Sequence, residues 1–190
     1  MTKPGGSCSL LLGNEAATPA GKALAPDGRE YVGKHAAGEK TAEHPESEGD
    51  IVRDYAFSDL KTGHQESFSV TLSDEMMEQF KNITGDINPL HLDAEYARKA
   101  GFPDRVVYGL LTASFYSTLV GVYLPGKYAL FLGAKKMNFH RPVFVGDRLT
   151  VTGTIANLNE AFKVIEIKAT IVNQRSELVS DASLNASSLK

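Results

Sequence analysis

Cysteine is almost absent from this chain: Cys8 stands alone. One thiol forms no intrachain disulfide and anchors no Cys-rich metal site. The simple inference is a reducing compartment, so a cytoplasmic location is expected. A surplus of positive charge is missing too. The 20 Lys and Arg are outnumbered by 23 Asp and Glu, so nothing points to nucleic acid or an anionic membrane surface as a partner. Phosphate-cradling glycine patterns, Gly-x-Gly-x-x-Gly or the P-loop, do not occur. Ser114 and Ser117 lack the Gly-x-Ser-x-Gly setting of a hydrolase elbow. His35, His44, His64 and His140 have no companions at ligand spacing, so no metal site is expected. The run Leu10-Leu11-Leu12 after Lys3 is too short for the apolar region of a secretory signal. The stretch Val106 to Leu124 is apolar enough to raise the question of a membrane helix, but Tyr108, Thr112, Ser114, Tyr116, Ser117 and Thr118 interrupt it. Polar groups at that density are costly in lipid. A helix enclosed by the protein's own sheet is the better reading, with no membrane span.

What is present is a chain of 190 residues, 42% of them apolar, enough for one globular domain with a sizeable core plus a tail. The first fifty residues are rich in Gly, Ala, Pro, Lys and Glu and contain no Phe. Such a segment buries too little apolar area to offset its ordering entropy, so residues 1–50 are read as a flexible tail and 51–190 as the folded domain. Within the domain, Glu66–Thr71 alternates as a strand does. Ser73 reads as an N-cap, with Asp74 and Glu75 in the first turn, Met76, Met77, Phe80 and Ile83 at helical spacing, and Gly85 as the stop. Asp93 caps a second short helix that Gly101 ends. A third helix is expected from about Tyr108 to Tyr123, apolar and therefore buried on nearly all sides, and closed by Pro125-Gly126. Four strands follow, at Tyr128–Phe139, Arg148–Asn157, Phe162–Gln174 and Leu178–Ala186. Strands in direct succession imply an antiparallel sheet, so the expected class is α+β, a sheet wrapped around one long helix.

The stretch Gly85-Asp86-Ile87-Asn88-Pro89-Leu90-His91 carries the chemical information. It joins two helices, so it reads as a loop on a rigid support. Pro89 fixes its own φ and pushes Asn88 towards an extended conformation. A carboxylate and an imidazole held this way could both reach one water, taking a proton from it and returning one to carbon. Asp and Asn before Pro are also good turn formers, and His91 could be a satisfied core histidine. The spacing leaves both readings open.

Gly-Asp-x-Asn-Pro-Leu-His resembles the hydratase motif of the MaoC-like family, which includes the (R)-specific enoyl-CoA hydratases. The likeness continues through Asp93, the approach from Phe102 to Gly109, Leu110-Leu111-Thr112-Ala113-Ser114, Leu124-Pro125-Gly126 and Arg141-Pro142-Val143-Phe144-Val145-Gly146-Asp147. It thus runs over roughly residues 60 to 190. The resemblance implies a hot-dog fold, a homodimer, and (R)-specific hydration of a trans-2-enoyl thioester or the reverse dehydration, with no metal or redox cofactor. Coenzyme A or an acyl carrier protein would be part of the substrate. By match, Asp86 and His91 are the acid/base pair, Asn88 and Ser117 support and orient, and Gly109 offers its N–H to the thioester carbonyl. Phe102, Tyr108, Leu110 and Val120 are expected to line the substrate pocket. Tyr108 departs from the pattern, because the family usually carries His before this glycine. Lys127, Lys135, Lys136, Arg141 and Arg148 read as scattered surface charge or as contacts to the phosphates of the carrier. The alternatives are a hot-dog acyl-thioester hydrolase and a non-catalytic acyl-thioester binding module.

Overall fold

A computed structural model describes residues 52–190. The tail expected over residues 1–50 lies outside that range. Strand β1 spans Gln65–Thr71, where exposed and half-buried residues alternate. Helix α1, Asp74–Thr84, begins at Ser73, whose side chain accepts from the Met76 N–H, and ends at Gly85 with φ 71°. Two short helices follow, α2 at Pro89–Leu92 and α3 at Ala94–Lys99. The Asp93 carboxylate caps α3 by accepting from the Glu95 and Tyr96 N–H groups. Helix α4, Gly109–Thr118, widens into a π-helical turn over Leu119–Tyr123 and forms the central helix. Strands β2 (Ala129–Phe139), β3 (Arg148–Asn159), β4 (Val164–Val172) and β5 (Leu178–Ser188) complete the domain.

The five strands form one sheet in the order β1-β3-β4-β5-β2, antiparallel at every pairing. Strand β4 shows why the sheet has two faces: Ile165, Ile167, Ala169 and Ile171 are buried, while Glu166, Lys168 and Thr170 alternate with them on the other side. The central helix lies on the apolar face. Its π-helical end touches β1 and β2, the two opposite edges of the sheet, as well as β3 in between. The edges of a flat five-stranded sheet, four spacings apart, would be about 19 Å from each other at the usual strand spacing, so the sheet curls around the helix. The Phe68 and Tyr123 rings stack at 4.7 Å on the β1 side. At Gly153 of β3 a side chain would come within 2.7 Å of Leu119 Cδ2, so glycine is what lets the helix approach this closely.

Expectation and structure part in three places. The stretch from Gly85 to His91 is not all loop, because its last three residues enter α2. Ile83, expected on the buried stripe of α1, is 81% exposed at the helix's last turn. The central helix is not covered on nearly all sides. Leu110, Ser114, Ser117 and Gly121 are exposed, and their spacing puts them in one stripe along the helix. A single curled sheet covers only the sides it faces.

Candidate active site

Asp86 follows directly on the glycine that ends α1. Its N–H donates to Thr84 Oγ1 at 3.3 Å, and its carboxylate Oδ1 accepts from the Asn88 N–H at 3.0 Å. Asn88 in turn caps α2, its Oδ1 accepting from the Leu90 N–H at 3.0 Å, with Pro89 in the first helical position. These short-range bonds are the reason an Asp-x-Asn-Pro sequence folds into a fixed turn. His91 rides on the single turn of α2. Its Nδ1 lies 2.7 Å from the Val106 carbonyl oxygen. A carbonyl only accepts, so Nδ1 bears a hydrogen, and in that tautomer of the imidazole the lone pair lies on Nε2.

Two cavities meet at this imidazole. The smaller, about 250 Å³, is lined by Phe80, Thr84, Asp86, His91, Tyr108, Gly109, Leu110 and Phe139. The larger, about 380 Å³ and mostly apolar, also has His91, Gly109 and Phe139 in its wall, and continues over Phe102, Val106 and Thr112 to Arg141 and Val143. Asp86 and His91 therefore open onto the same small cavity, and His91 onto both. Gly109 is the first residue of α4, so its N–H has no partner inside the helix. A side chain there would meet the Phe139 ring at an ordinary 3.5 Å. The fold therefore does not require glycine at 109.

Tyr108 is 2% exposed. Its hydroxyl donates to the Asp86 carbonyl oxygen at 2.9 Å, and its ring packs 4.0 Å from the His91 ring. Burial, and then the nearby Asp86 charge, push the Tyr108 hydroxyl above its ordinary pKa. At the rim of the larger cavity, His140 pairs with Asp181 and holds its carboxyl below the usual carboxylate range. Arg141 donates to the Leu178 carbonyl at 2.9 Å. Among the cations flagged in the sequence, only Arg141 borders either cavity. No group of three or more His, Cys, Asp or Glu among the described residues is placed to hold a metal ion.

Of the residues singled out in the sequence, Asp86, His91, Gly109, Tyr108, Leu110 and Phe102 come together around these cavities. Asn88 supports the turn without lining either. Ser117 is exposed two turns along α4, and Val120 is buried in the core at 1% exposure; neither lines either of these two cavities. Their placement follows from helix geometry, since eight and eleven residues beyond Gly109 carry them away from the helix start. Among the lining residues that sequence reasoning missed, Phe139 stands in the wall of both cavities. Its only signal was its position at the strand end just before His140-Arg141-Pro142.

Comparison with known proteins adds a family to this geometry. Residues 58–176 match the family described as MaoC like domain. The chain belongs to the MaoC-like family. This MaoC-like domain is 32% identical over 124 residues to the (R)-specific enoyl-CoA hydratase of Rhodospirillum rubrum, spanning 65% of this chain and 85% of that protein. It is 34% identical over 115 residues to the (R)-specific enoyl-CoA hydratase of Aeromonas caviae, spanning 60% and 85%. The unliganded R-hydratase PhaJ1 from Pseudomonas aeruginosa superposes on it with a TM-score of 0.68 at 26% identity, over 72% of this chain and 87% of that one. The hydratases it matches are hydro-lyases, and the architecture shared with them is the hot-dog fold.

Proposed function

We propose that this MaoC-like domain catalyses the (R)-specific addition of water to a trans-2-enoyl thioester, or the reverse dehydration of a 3-hydroxyacyl thioester. The observation that carries the reading is the opening of Asp86 and His91 onto one cavity beside the free N–H of Gly109. Water binds between the carboxylate and His91 Nε2. Its oxygen forms the bond to C3 while the Asp86/His91 pair takes one of its protons, and the pair returns a proton to C2. The negative charge that builds on the thioester oxygen is met by the Gly109 N–H at the positive end of the central helix. The larger apolar cavity receives the acyl chain. The reaction adds the elements of water with no net transfer of electrons, so it calls for no redox cofactor, and the proposed acid/base pair supplies the proton transfers without a metal. The thiol carrier, coenzyme A or an acyl carrier protein, belongs to the substrate.

The domain works as a homodimer in this proposal. Among the described residues, strand β2 pairs only with β5, and it carries Leu130, Phe131 and Leu132 between 38% and 52% exposed. An apolar open edge of this kind invites pairing, and a second copy supplies it by two-fold symmetry.

Crotonyl-CoA tests the activity. Hydration bleaches the enoyl absorbance without freeing thiol and gives the (R)-3-hydroxy product. Thiol release detected by a thiol-reactive dye would instead mark a hydrolase. Binding with an unchanged spectrum would mark a binding module.

A further inference from the structure

We propose that Tyr108 is a positioning residue that sets the placement of Asp86 relative to His91. The inference rests on the acid/base reading of those two residues. The turn needs such a tether. Every residue from Thr84 to Pro89 is exposed, and the side-chain bonds that shape the turn run only two residues along the chain, Thr84 to Asp86, Asp86 to Asn88 and Asn88 to Leu90. Bonds of that range fix the local conformation but do not place the turn against the rest of the protein. Among the hydrogen bonds of the described residues, the one from Tyr108 Oη to the Asp86 carbonyl ties Asp86 to an element outside its own neighbourhood.

The same side chain holds the second member of the pair. Its ring faces the imidazole at 4.0 Å with the planes 36° apart, and Phe80 backs it at 5.2 Å. Tyr108 is itself immobilised by burial, and it is the N-cap residue of α4, one position before Gly109. One buried residue thus links the carboxylate turn, the imidazole and the start of the helix whose N–H meets the substrate oxygen. Tyrosine supplies both parts: a ring wide enough to pack on His91 and a hydroxyl at its far end that reaches Asp86.

A double-mutant cycle tests this. Tyr108→Phe keeps the ring and removes the hydroxyl. It should lower kcat about tenfold, the scale of one hydrogen bond, leave KM within about twofold, and leave the melting temperature nearly unchanged. The amides of Ile87 and Asn88 should exchange with solvent faster, while those of β4 do not. In an Asp86→Asn background the same change should cost less than about twofold, because the residue acts through Asp86. An undiminished tenfold loss in that background overturns the proposal. So does a rise in KM at constant kcat, the mark of a simple pocket wall, and so does full activity of Tyr108→Phe. Full activity of Asp86→Asn alone is a different failure, because it removes the acid/base reading beneath.

Discussion

Along the seam of helix and sheet, Tyr116, Leu119, Val120, Ile155, Ile167 and Leu184 are all at 1% exposure or less. In the turn that carries Asp86, every residue from Asn82 to Pro89 is exposed. The two regions are held by different means. Each aliphatic side chain in the seam contributes about 1.5–3 kcal/mol by leaving water. The turn is held by individual hydrogen bonds, each contributing about 0.5–1.5 kcal/mol net. Stability therefore resides in the seam, and the proposed chemistry in the turn. A lesion in one region should leave the other's property nearly intact.

The sharpest way to break this comparison is to alter the turn. Asp86→Asn and His91→Ala should each lower turnover by about two to four powers of ten, the usual scale of an acid/base group. Asp86 is exposed and His91 only half-buried, so the melting temperature should move little. Hydration kinetics and calorimetry on the same samples check the pair of outcomes. A variant that loses activity only because it unfolds would erase the distinction.

A backbone lesion on the seam side should do the reverse. Gly126 has φ 85°, and a Cβ there would fall 2.1 Å from the Arg53 carbonyl oxygen. That oxygen accepts from the Lys127 N–H at 2.7 Å, and the Arg53 N–H donates to the Val122 carbonyl at 2.8 Å, so the contact fastens the segment before β1 to the end of the central helix. Gly126→Ala combines left-handed strain with a backbone clash and should cost about 3 kcal/mol or more. Denaturant unfolding measures it. The protein that remains folded should keep its rate.

Smallest and most specific is a pH effect. Burial pushes the Tyr116 hydroxyl up to about 12. That hydroxyl donates to Ser180 Oγ at 2.9 Å, and Ser180 Oγ donates to the Asn138 carbonyl at 2.8 Å, joining the central helix to β5 and β2. Because the folded state holds the proton more tightly than an unfolded tyrosine near 10, this contribution is whole below pH 10. It is lost as the pH rises from about 10 towards 12. Melting temperatures across that range should fall, and Tyr116→Phe should flatten the part of the slope that this residue causes. An identical slope in the variant would place the alkaline sensitivity elsewhere.

Much of this protein is written locally. The Ser73 and Asp93 caps, the stop at Gly85, the breakers between strands and the two-residue alternation of β4 act within a few residues, so they predict the elements and an antiparallel sheet around one long helix directly from sequence. The Asp-x-Asn-Pro turn belongs with them, because its bonds span two residues. Other features join residues far apart through groups with no side-chain signature. His91 Nδ1 meets the carbonyl of Val106, and Tyr108 reaches the carbonyl of Asp86. Any residue supplies a carbonyl, so no sequence pattern could nominate these partners. Likewise, the apolar run of the central helix says that it is buried but not against what. Only the curl of the sheet decides that Val120 goes to the core, that Ser117 stays in the open, and that Phe139 stands over Gly109 between the two cavities.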